Sequence, residues 1–341
     1  MSTLSVAQIR DTNGNSKLVI GGLYKVDPSS VAFTKTGNST ATIKAGTIVA
    51  FDDGTQTAFT TATNITMPSL SAGTDYAIWV NKDNTIQATS NHTSPPQSGS
   101  RKIGGFHYAP GGNATGTSGG NTTPQINEYS FWDLKFRPNC VDPRGTTLIA
   151  GGFWSDIYLT GVDHHINGSS RFNVAYARGT TPPKIPSAFG GNGTSTYSNG
   201  NWWNFAEVAR SHGKRLPTYS EFAALAYGTT ENSSVGTDQN NTVLNAEYTS
   251  KWGVIQASGV LWSWGDEFAV GSIASFNWFN EAGGRGNIYQ AGSGSVRSVR
   301  LGGDWNDGAV SGSRCSDWYG TPSLSGDSVG SRFVCDHLQL D

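Results

Sequence analysis

Tryptophan is distributed unevenly along the 341 residues of this chain. Trp79 alone lies before residue 130, and all the other tryptophans follow it. Indole rings bury a large apolar surface and can hold long loops in place, so the second part of the chain can fold with little regular structure. Glycine supports this interpretation, because it supplies 44 of the residues. We therefore expect two domains of different kinds, the second rich in ordered loops.

The first part of the chain has the patterns of short β-strands. The runs that predict strands are Ser30 to Lys35, Thr40 to Phe51, Asp75 to Val80, Thr85 to Thr89 and Arg101 to Tyr108. Residues 81–84 separate two of them and predict a hairpin turn. After the last predicted strand, the glycine-rich run Pro110 to Asn121 indicates a flexible loop. We expect an antiparallel β-sandwich over residues 23–128, preceded by a short N-terminal segment, 1–22.

Two helices are predicted in the second part. Asn201 to Ser211 places apolar side chains on one face, and Gly213 follows as a terminating residue. Thr218 and Glu221 have the spacing of a capping box, and Gly228 ends the helix that follows. From there to the C-terminus the sequence indicates short strands and loops of Gly, Ser and Asn. We expect an α+β domain dominated by loops over residues 129–341.

The charges and the cysteines exclude several partners and settings. Twenty-three basic and 25 acidic residues give a net charge of -2 without any basic cluster, so neither nucleic acid nor an anionic membrane is expected as a partner. No apolar run is long enough to insert into a membrane, and the first residues do not resemble a signal peptide. Cys140, Cys315 and Cys335 are odd in number and far apart in the sequence, a pattern that does not indicate a disulfide framework. We expect buried thiols and synthesis in the cytoplasm.

Patterns of catalysis and metal binding are absent or weak. The chain contains neither a P-loop nor a nucleophile elbow. The clusters closest to such chemistry are Asp163-His164-His165, Asp266-Glu267 and the pair of Cys335 and His337. Adjacent histidines on a strand point to opposite faces, a solvated turn accounts for the acidic pair, and no third group orients the thiol and the imidazole. We expect no enzyme, no catalytic or metal-binding residues and no cofactor, and leave a structural cation open.

A series of motifs in the second part carries a specific resemblance. In chain order they are Lys214 to Thr218, Lys251 to Val254, Ser258 to Trp264, Leu301 to Trp305, Ser311 to Arg314, Asp317 to Tyr319 and Gly330 to Val334. These motifs resemble those of the C-type lectin-like group that also contains formylglycine-generating enzymes. Within this group the chain is similar to the retroelement-diversified receptor-binding proteins of bacteriophage tail fibres, from about Leu23 to Asp341.

The resemblance implies a fold, an assembly and a partner. The second domain would be C-type lectin-like, of the formylglycine-generating-enzyme subtype, with a variable region at about 301–341. The protein would be a homotrimer at the tip of a tail fibre in the virion, joined to a shaft protein and bound to a receptor, expected to be a protein, on the bacterial surface. The N-terminal segment is shorter than in the phage proteins, which leaves trimerisation and attachment open.

Transfer of the variable positions, one at a time, gives twelve candidate receptor-binding residues. They are Asp304, Asn306, Asp307, Gly308, Val310, Asp317, Tyr319, Gly320, Leu324, Gly326, Ser328 and Val329. Mutation of adenines in AAC or AAT codons cannot produce Trp, Met, Gln, Lys or Glu, and none of the twelve residues is of those types. Residues between them are expected to form a fixed scaffold, namely Trp305, Gly312, Arg314, Trp318, Pro322, Gly330 and Arg332. We expect Tyr319 to dominate binding.

Two other functions compete with receptor binding. A calcium-dependent lectin would carry Glu-Pro-Asn or Gln-Pro-Asp, whereas Thr321-Pro322-Ser323 lacks the flanking acceptors. A formylglycine-generating-type oxidase would carry Cys-x4-Cys, and Val310 stands where the partner of Cys315 would be. Receptor binding is the favoured function, and both alternatives are kept.

Overall fold

The computed structural model describes residues 7–10, 16–19, 22–111, 122–270, 277–280, 284–290 and 296–340. Strands dominate these residues and the helices are few and short. The chain divides into two compact units. The first consists of Met1–Tyr108, Gln125–Pro138 and His337–Asp341, and the second of Ala109–Pro124 and Asn139–Asp336. The domain limits expected from the sequence, after residues 22 and 128, stay a prediction.

Short antiparallel strands build the first unit. They are β1 Ala7–Arg10, β2 Ser16–Val19, β3 Leu23–Tyr24, β4 Phe33–Gly37, β5 Thr40–Ile43, β6 Thr47–Ala50, β7 Gln56–Phe59, β8 Thr63–Asn64, β9 Thr74–Val80, β10 Ile86–Thr89, β11 Arg101–Pro110, β12 Pro124–Ile126, β13 Trp132–Asp133 and β14 Phe136–Pro138. One sheet has the order β10-β9-β11-β12, and β13 pairs with β11. Two smaller sheets have the orders β3-β6-β7 and β4-β5-β8. Their buried apolar side chains form one core.

The hairpin predicted in this unit is confirmed. Strands β9 and β10 pair antiparallel, and the Asn81 amide donates to the Thr85 carbonyl oxygen at 2.9 Å across the turn. Asn84 has a φ of 66°, a left-handed conformation that asparagine tolerates better than most residues. The turn residues 81–84, together with the strand patterns on either side, were enough to predict this hairpin.

Three strand predictions in the first unit are wrong in extent or in order. The run from Ser30 to Lys35 is strand β4, which begins only at Phe33 and ends at Gly37. The run from Thr40 to Phe51 is two strands, β5 and β6, because the chain turns at Gly46, whose φ is 79°. The strand that begins at Arg101 is not the last of its sheet, since β12 and β13 also belong to it. The predicted flexible loop lies for the most part outside the described residues, at 112–121.

A six-stranded sheet forms much of the second unit. Its strands are β17 Trp262–Ala269, β18 Asn277–Phe279, β19 Ile288–Gln290, β20 Arg297–Leu301, β21 Ser316–Asp317 and β22 Val329–Gly330. Their order is β18-β19-β21-β20-β17-β22, with β17–β22 and β19–β21 parallel and the other pairs antiparallel. Two further strands, β15 Thr146–Ile149 and β16 Phe153–Asp156, pair with each other, and β16 pairs with the start of β23 Val334–Gln339.

The second unit also contains the helices α1 His164–Asn167, α2 Trp202–Ser211 and α3 Tyr219–Leu225. The sequence predicted α2 and α3, and both are confirmed, as are the terminating Gly213 after α2 and the capping box of α3. The N-terminal cap of α2 was not predicted. Asn201 accepts from the Asn204 amide at 3.1 Å at the start of α2. At α3, Thr218 Oγ1 accepts from the Glu221 amide at 3.2 Å and the Glu221 carboxylate accepts from the Thr218 amide at 2.9 Å. No helix in the described ranges is long and apolar enough to cross a membrane.

Indole rings hold loops of the second unit by hydrogen bonds as well as by packing. Trp202 Nε1 donates to the Gly265 carbonyl oxygen at 2.8 Å, and Trp252 Nε1 donates to the Ala224 carbonyl oxygen at 2.9 Å. Trp154 is fully buried. These contacts explain why tryptophan accumulates in the part of the chain that has the longest irregular segments.

Arg332 lies at the centre of the second unit with no exposed surface. Its guanidinium donates to four carbonyl oxygens, those of Asp156, Ile157, Ile255 and Gln256, at 2.7 to 3.2 Å. Burial lowers the pKa of Arg332 to about 9. One side chain thus joins the C-terminal segment to two other parts of the chain. The Asp156 and Ile157 carbonyl oxygens also accept from Ser155 Oγ and from the Ile255 amide, whereas those of Ile255 and Gln256 are held by Arg332.

Candidate functional site

A double-glycine turn begins the segment that holds the candidate residues. Gly302 and Gly303 follow β20 with φ values of 95° and 82°. A Cβ atom on Gly302 would lie 2.7 Å from the Phe222 ring, and one on Gly303 would lie 2.3 Å from Ser311 Oγ. Only glycine fits both the backbone conformation and the space. The turn therefore fixes where the following loop leaves the sheet.

The first group of candidate residues lies on the loop 304–310 and is held by its own hydrogen bonds. Asp304 Oδ1 accepts from the Asn306 amide at 2.8 Å, and Asp307 Oδ2 accepts from the Asp304 amide at 2.8 Å. The Gly308 amide donates to Ser234 Oγ at 2.9 Å. Asn306 is exposed, whereas the two aspartates are partly buried. The loop is thus ordered while one side chain remains open to solvent.

The carboxyl group of Asp307 has an unusual electrostatic environment. Burial raises the pKa of Asp307 to about 6, and the nearby charge of Asp304 also raises it. The hydrogen bond from the Asp304 amide and the charge of Arg300 act in the opposite direction. Because the folded pKa exceeds the usual value of 3.8, ionisation of this group opposes folding. The stability lost by ionising Asp307 therefore appears as the pH rises from 3.8 through about 6.

We expect Asp307→Asn to raise the free energy of unfolding by about 1–2 kcal/mol at about pH 7.5 and to have little effect at about pH 4. The amide removes the charge but keeps an oxygen that can accept from the Asp304 amide. Denaturant titrations of both proteins at the two pH values measure the difference. Asp327→Asn is the matched control, because Asp327 is an exposed aspartate of the same segment. An equal effect of Asp307→Asn at both pH values would contradict this account.

Asp317 is one of three candidates that the structure places inside the protein. Its residue surface is 5% exposed and its carboxylate pairs with Arg300, which lies opposite it on β20. Asp317 Oδ1 also accepts from the Tyr319 amide at 2.7 Å. Asp317→Ala would leave the Arg300 guanidinium without this carboxylate. That substitution would test packing rather than binding.

Tyr319 is exposed and at the same time held in position. Its residue surface is 45% exposed. The Arg297 guanidinium lies over the ring, 4.9 Å from its centroid, and the Tyr289 ring contacts it edge-on with centroids 6.2 Å apart. Arg297 also donates to the Tyr319 carbonyl oxygen. An amphipathic ring in a fixed position has the properties of a binding anchor.

The remaining candidates follow a turn and return to the sheet. A Cβ on Gly320 would lie 3.3 Å from Leu324 Cδ2, which brings these two positions together. The Ser328 carbonyl oxygen accepts from the Trp262 amide at 3.0 Å. Val329 pairs with Trp262 in a parallel ladder and is 1% exposed, so its side chain belongs to the core.

The twelve candidates therefore differ in what they present to solvent. Two are exposed, Asn306 and Tyr319. Seven are partly buried, namely Asp304, Asp307, Gly308, Val310, Leu324, Gly326 and Ser328. Three are buried, Asp317, Gly320 and Val329. Contacts join Asp317, Tyr319, Gly320 and Leu324 into one group, whereas the loop 304–310 is held through Ser234.

Sequence reasoning missed three charged residues that hold this segment. Arg297 and Arg300 on β20 hold Tyr319 and Asp317. Glu231, whose side chain is 1% exposed, accepts from the Ser313 amide at 2.8 Å and from Ser313 Oγ at 2.5 Å. Charged residues are only 14% of the chain, so two arginines directly before the segment were a signal that could have been used.

The other clusters considered from the sequence have structural contacts. His164 and His165 lie on α1 and not on a strand, and His164 is buried, with Nδ1 2.9 Å from His212 Nε2. Asp266 and Glu267 lie within β17 and not on a turn. Glu267 Oε1 accepts from the backbone amide at the start of α3 at 2.6 Å. Among the residues that the structure describes, no group of three or more His, Cys, Asp or Glu side chains is placed to hold a metal ion.

Comparison with known proteins identifies relatives of the whole chain. The family described as "Mtd second domain" matches residues 31–133. A curated protein of Bordetella phage BPP-1, named tail fiber receptor-binding protein, is 53% identical over 336 residues. The match covers 95% of this chain and 87% of that protein.

Solved structures named as variants of one protein have the same fold. The Major Tropism Determinant M1 variant has a TM-score of 0.83 and 52% identity, covering 94% of this chain and 86% of that one. The U1 variant has a TM-score of 0.84 and 52% identity, covering 94% of this chain and 87% of that one. The mostly β architecture with few helices is thus shared with these proteins. The chain belongs to the family of the phage major tropism determinants.

Proposed function

We propose that this protein is the receptor-binding protein of a bacteriophage tail fibre and that it binds a surface protein of the host bacterium. The observation that carries this proposal is the 53% identity, over 95% of the chain, to a protein named tail fiber receptor-binding protein. The location in the virion is part of the same proposal. We place the binding face on the segment 304–329, with Tyr319 as its anchor.

The local structure supports a face whose side chains can change. Such a face needs a backbone that other residues hold. Gly302, Gly303, Glu231 and Arg332 supply that support with contacts that do not depend on the exposed side chains. Substitutions at Tyr319 and Asn306 would then leave the support of the backbone in place. Diversification by a retroelement predicts, in the genome, a near-copy of the codons for this segment that differs at adenines, beside a reverse transcriptase gene.

The proposal extends to the assembly and to the finer fold. We assign a C-type lectin-like fold of the formylglycine-generating-enzyme subtype to the second unit and an antiparallel β-sandwich to the first. We also propose a homotrimer attached to a fibre shaft protein. Three sites on a trimer, and many trimers on a virion, would give strong attachment from sites of modest affinity.

The environment of Cys315 argues against an oxidase. Its side chain is fully buried. Burial raises the pKa of the Cys315 thiol well above its usual range, and the charges of Asp307 and Asp317 raise it further. A thiol that does not ionise is a poor nucleophile. This environment therefore favours a binding protein over a thiol-dependent oxidase.

We expect Tyr319→Ala to weaken binding to host cells by about 30-fold or more, the effect of losing an interface anchor of about 2 kcal/mol. Binding of the labelled full chain to host bacteria, and its competition with phage adsorption, measure the loss. Phe189→Ala is the matched control, because Phe189 is an aromatic residue of similar exposure, 41%, outside the segment 304–329. Unchanged adsorption with Tyr319→Ala would show that the face is misplaced.

A sugar array separates receptor binding from the lectin alternative. Binding to sugars that EDTA abolishes would favour a calcium-dependent lectin. We expect binding to host cells to persist in EDTA. In the structure, Thr321 Oγ1 and Ser323 Oγ lie 3.1 Å apart and within hydrogen-bond distance of each other, and neither residue supplies a carboxylate.

A further inference from the structure

Two of the three cysteines lie opposite each other on neighbouring segments. Strand β14 pairs antiparallel with the end of β23, with Pro138 opposite His337. One step further along, the Asn139 amide donates to the Asp336 carbonyl oxygen at 2.9 Å. The next step of this register places Cys140 opposite Cys335.

The hydrogen-bond pattern defines the type of this pair. The carbonyl group of Asp336 points towards Asn139, so the backbone groups of the adjacent Cys335 point away from Cys140 and towards β16. Cys140 and Cys335 therefore form a non-hydrogen-bonded pair, in which Cα atoms are about 4.5 Å apart and side chains lie on the same face. That separation is within the range that a disulfide bond requires.

Both side chains are free thiols, and they are hydrogen-bonded to each other. A hydrogen bond with Cys140 raises the pKa of Cys335 above its usual range, and burial raises it further. Cys140 Sγ itself donates to the Asp142 carbonyl oxygen at 3.2 Å. Cys140 is partly exposed, whereas Cys335 is 3% exposed. A reagent in solution would therefore reach Cys140 first.

We propose that Cys140 and Cys335 form a disulfide bond when the protein meets a small disulfide oxidant such as oxidised glutathione. The Cys140 thiolate attacks one sulfur of the oxidant, so that a mixed disulfide forms and one glutathione thiolate leaves. The mixed disulfide removes the Cys140 hydrogen bond, which is the largest cause of the raised Cys335 pKa, and the nearby Lys214 charge favours the thiolate. The Cys335 thiolate then attacks the Cys140 sulfur and releases the second glutathione. The protein loses two protons and two electrons, and the oxidant takes up both to become two glutathione thiols.

The bond would join the two ends of the second unit, which spans Asn139–Asp336 apart from the short segment 109–124. A disulfide stabilises most when the loop that it closes is long. The effect would apply to the unit that contains the segment 304–329. A protein made with reduced thiols would thus gain stability after release from the cell.

The test uses the full chain, purified with reductant and then treated with oxidised glutathione at about pH 8. We expect the titratable thiols of the denatured protein to fall from three to one. Peptide mapping should show a linked peptide containing Cys140 and Cys335. The melting temperature should rise by about 5 °C or more and return after reduction.

Three variants keep the test decisive. Cys315→Ser should form the same linked peptide, whereas Cys140→Ser should form no linked peptide and show no shift in melting temperature. Cys140 is partly exposed, so its serine variant is expected to fold, and Cys335→Ser is a second test of the same pair. Three remaining thiols, glutathione retained on Cys140, or a linked peptide containing Cys315 would overturn the proposal.

Discussion

Arg332→Lys is expected to lower the free energy of unfolding by about 3–5 kcal/mol. The planar guanidinium donates to four carbonyl oxygens through two nitrogen atoms. Lysine has a single ammonium nitrogen, which cannot reach the same set of acceptors. The buried carbonyl oxygens of Ile255 and Gln256, which accept from one guanidinium nitrogen of Arg332, would then lose that donor. Denaturant unfolding followed by tryptophan fluorescence measures the loss.

Arg314→Lys is the matched control for this prediction. Arg314 belongs to the same segment, but its side chain is exposed. Its replacement by lysine should change the stability by less than about 0.5 kcal/mol. Equal effects of the two substitutions would show that the buried hydrogen bonds of Arg332 do not account for its contribution.

Lys214→Met should have an effect of similar size, about 3–5 kcal/mol. The Lys214 ammonium pairs with Asp156 Oδ1 and donates to Ser169 Oγ at 2.9 Å, and both charged groups are buried. Burial alone would lower the pKa of Lys214, and the Asp156 carboxylate raises it above its usual value. Removal of the ammonium leaves the Asp156 charge buried without its cation. Unfolding titrations measure the loss.

The double variant Lys214→Met with Asp156→Asn isolates the cause. Asparagine removes the unpaired charge, so we expect the double variant to be more stable than Lys214→Met alone. If the stability losses of the single variants Lys214→Met and Asp156→Asn simply add in the double variant, the destabilisation comes from side-chain volume and not from an uncompensated charge. In the described part of the chain, Asp156 Oδ2 has no hydrogen-bond partner, so the pair with Lys214 is its main compensation.

Local patterns predicted local elements well. The Thr218 cap and the turn at residues 81–84 depend on contacts between residues that are two to four positions apart. Such contacts are encoded in a short stretch of sequence. The same logic failed for α1, because a four-residue helix has too little periodicity to be recognised.

The burial of individual candidate residues could not be predicted. Asp317 and Val329 both belong to the twelve candidate receptor-binding residues, yet both are buried. Their environment depends on Arg300 and Trp262, which come from other strands of the sheet. Contacts of this kind are set by strand order, and the sequence between the strands does not reveal that order.

The fixed position of Tyr319 has a consequence for the thermodynamics of association. A side chain that is free in solution loses about 0.5–1.5 kcal/mol of rotamer entropy when a partner immobilises it. Arg297 and Tyr289 have already restricted this ring. A partner that packs against it therefore meets little of that entropic cost.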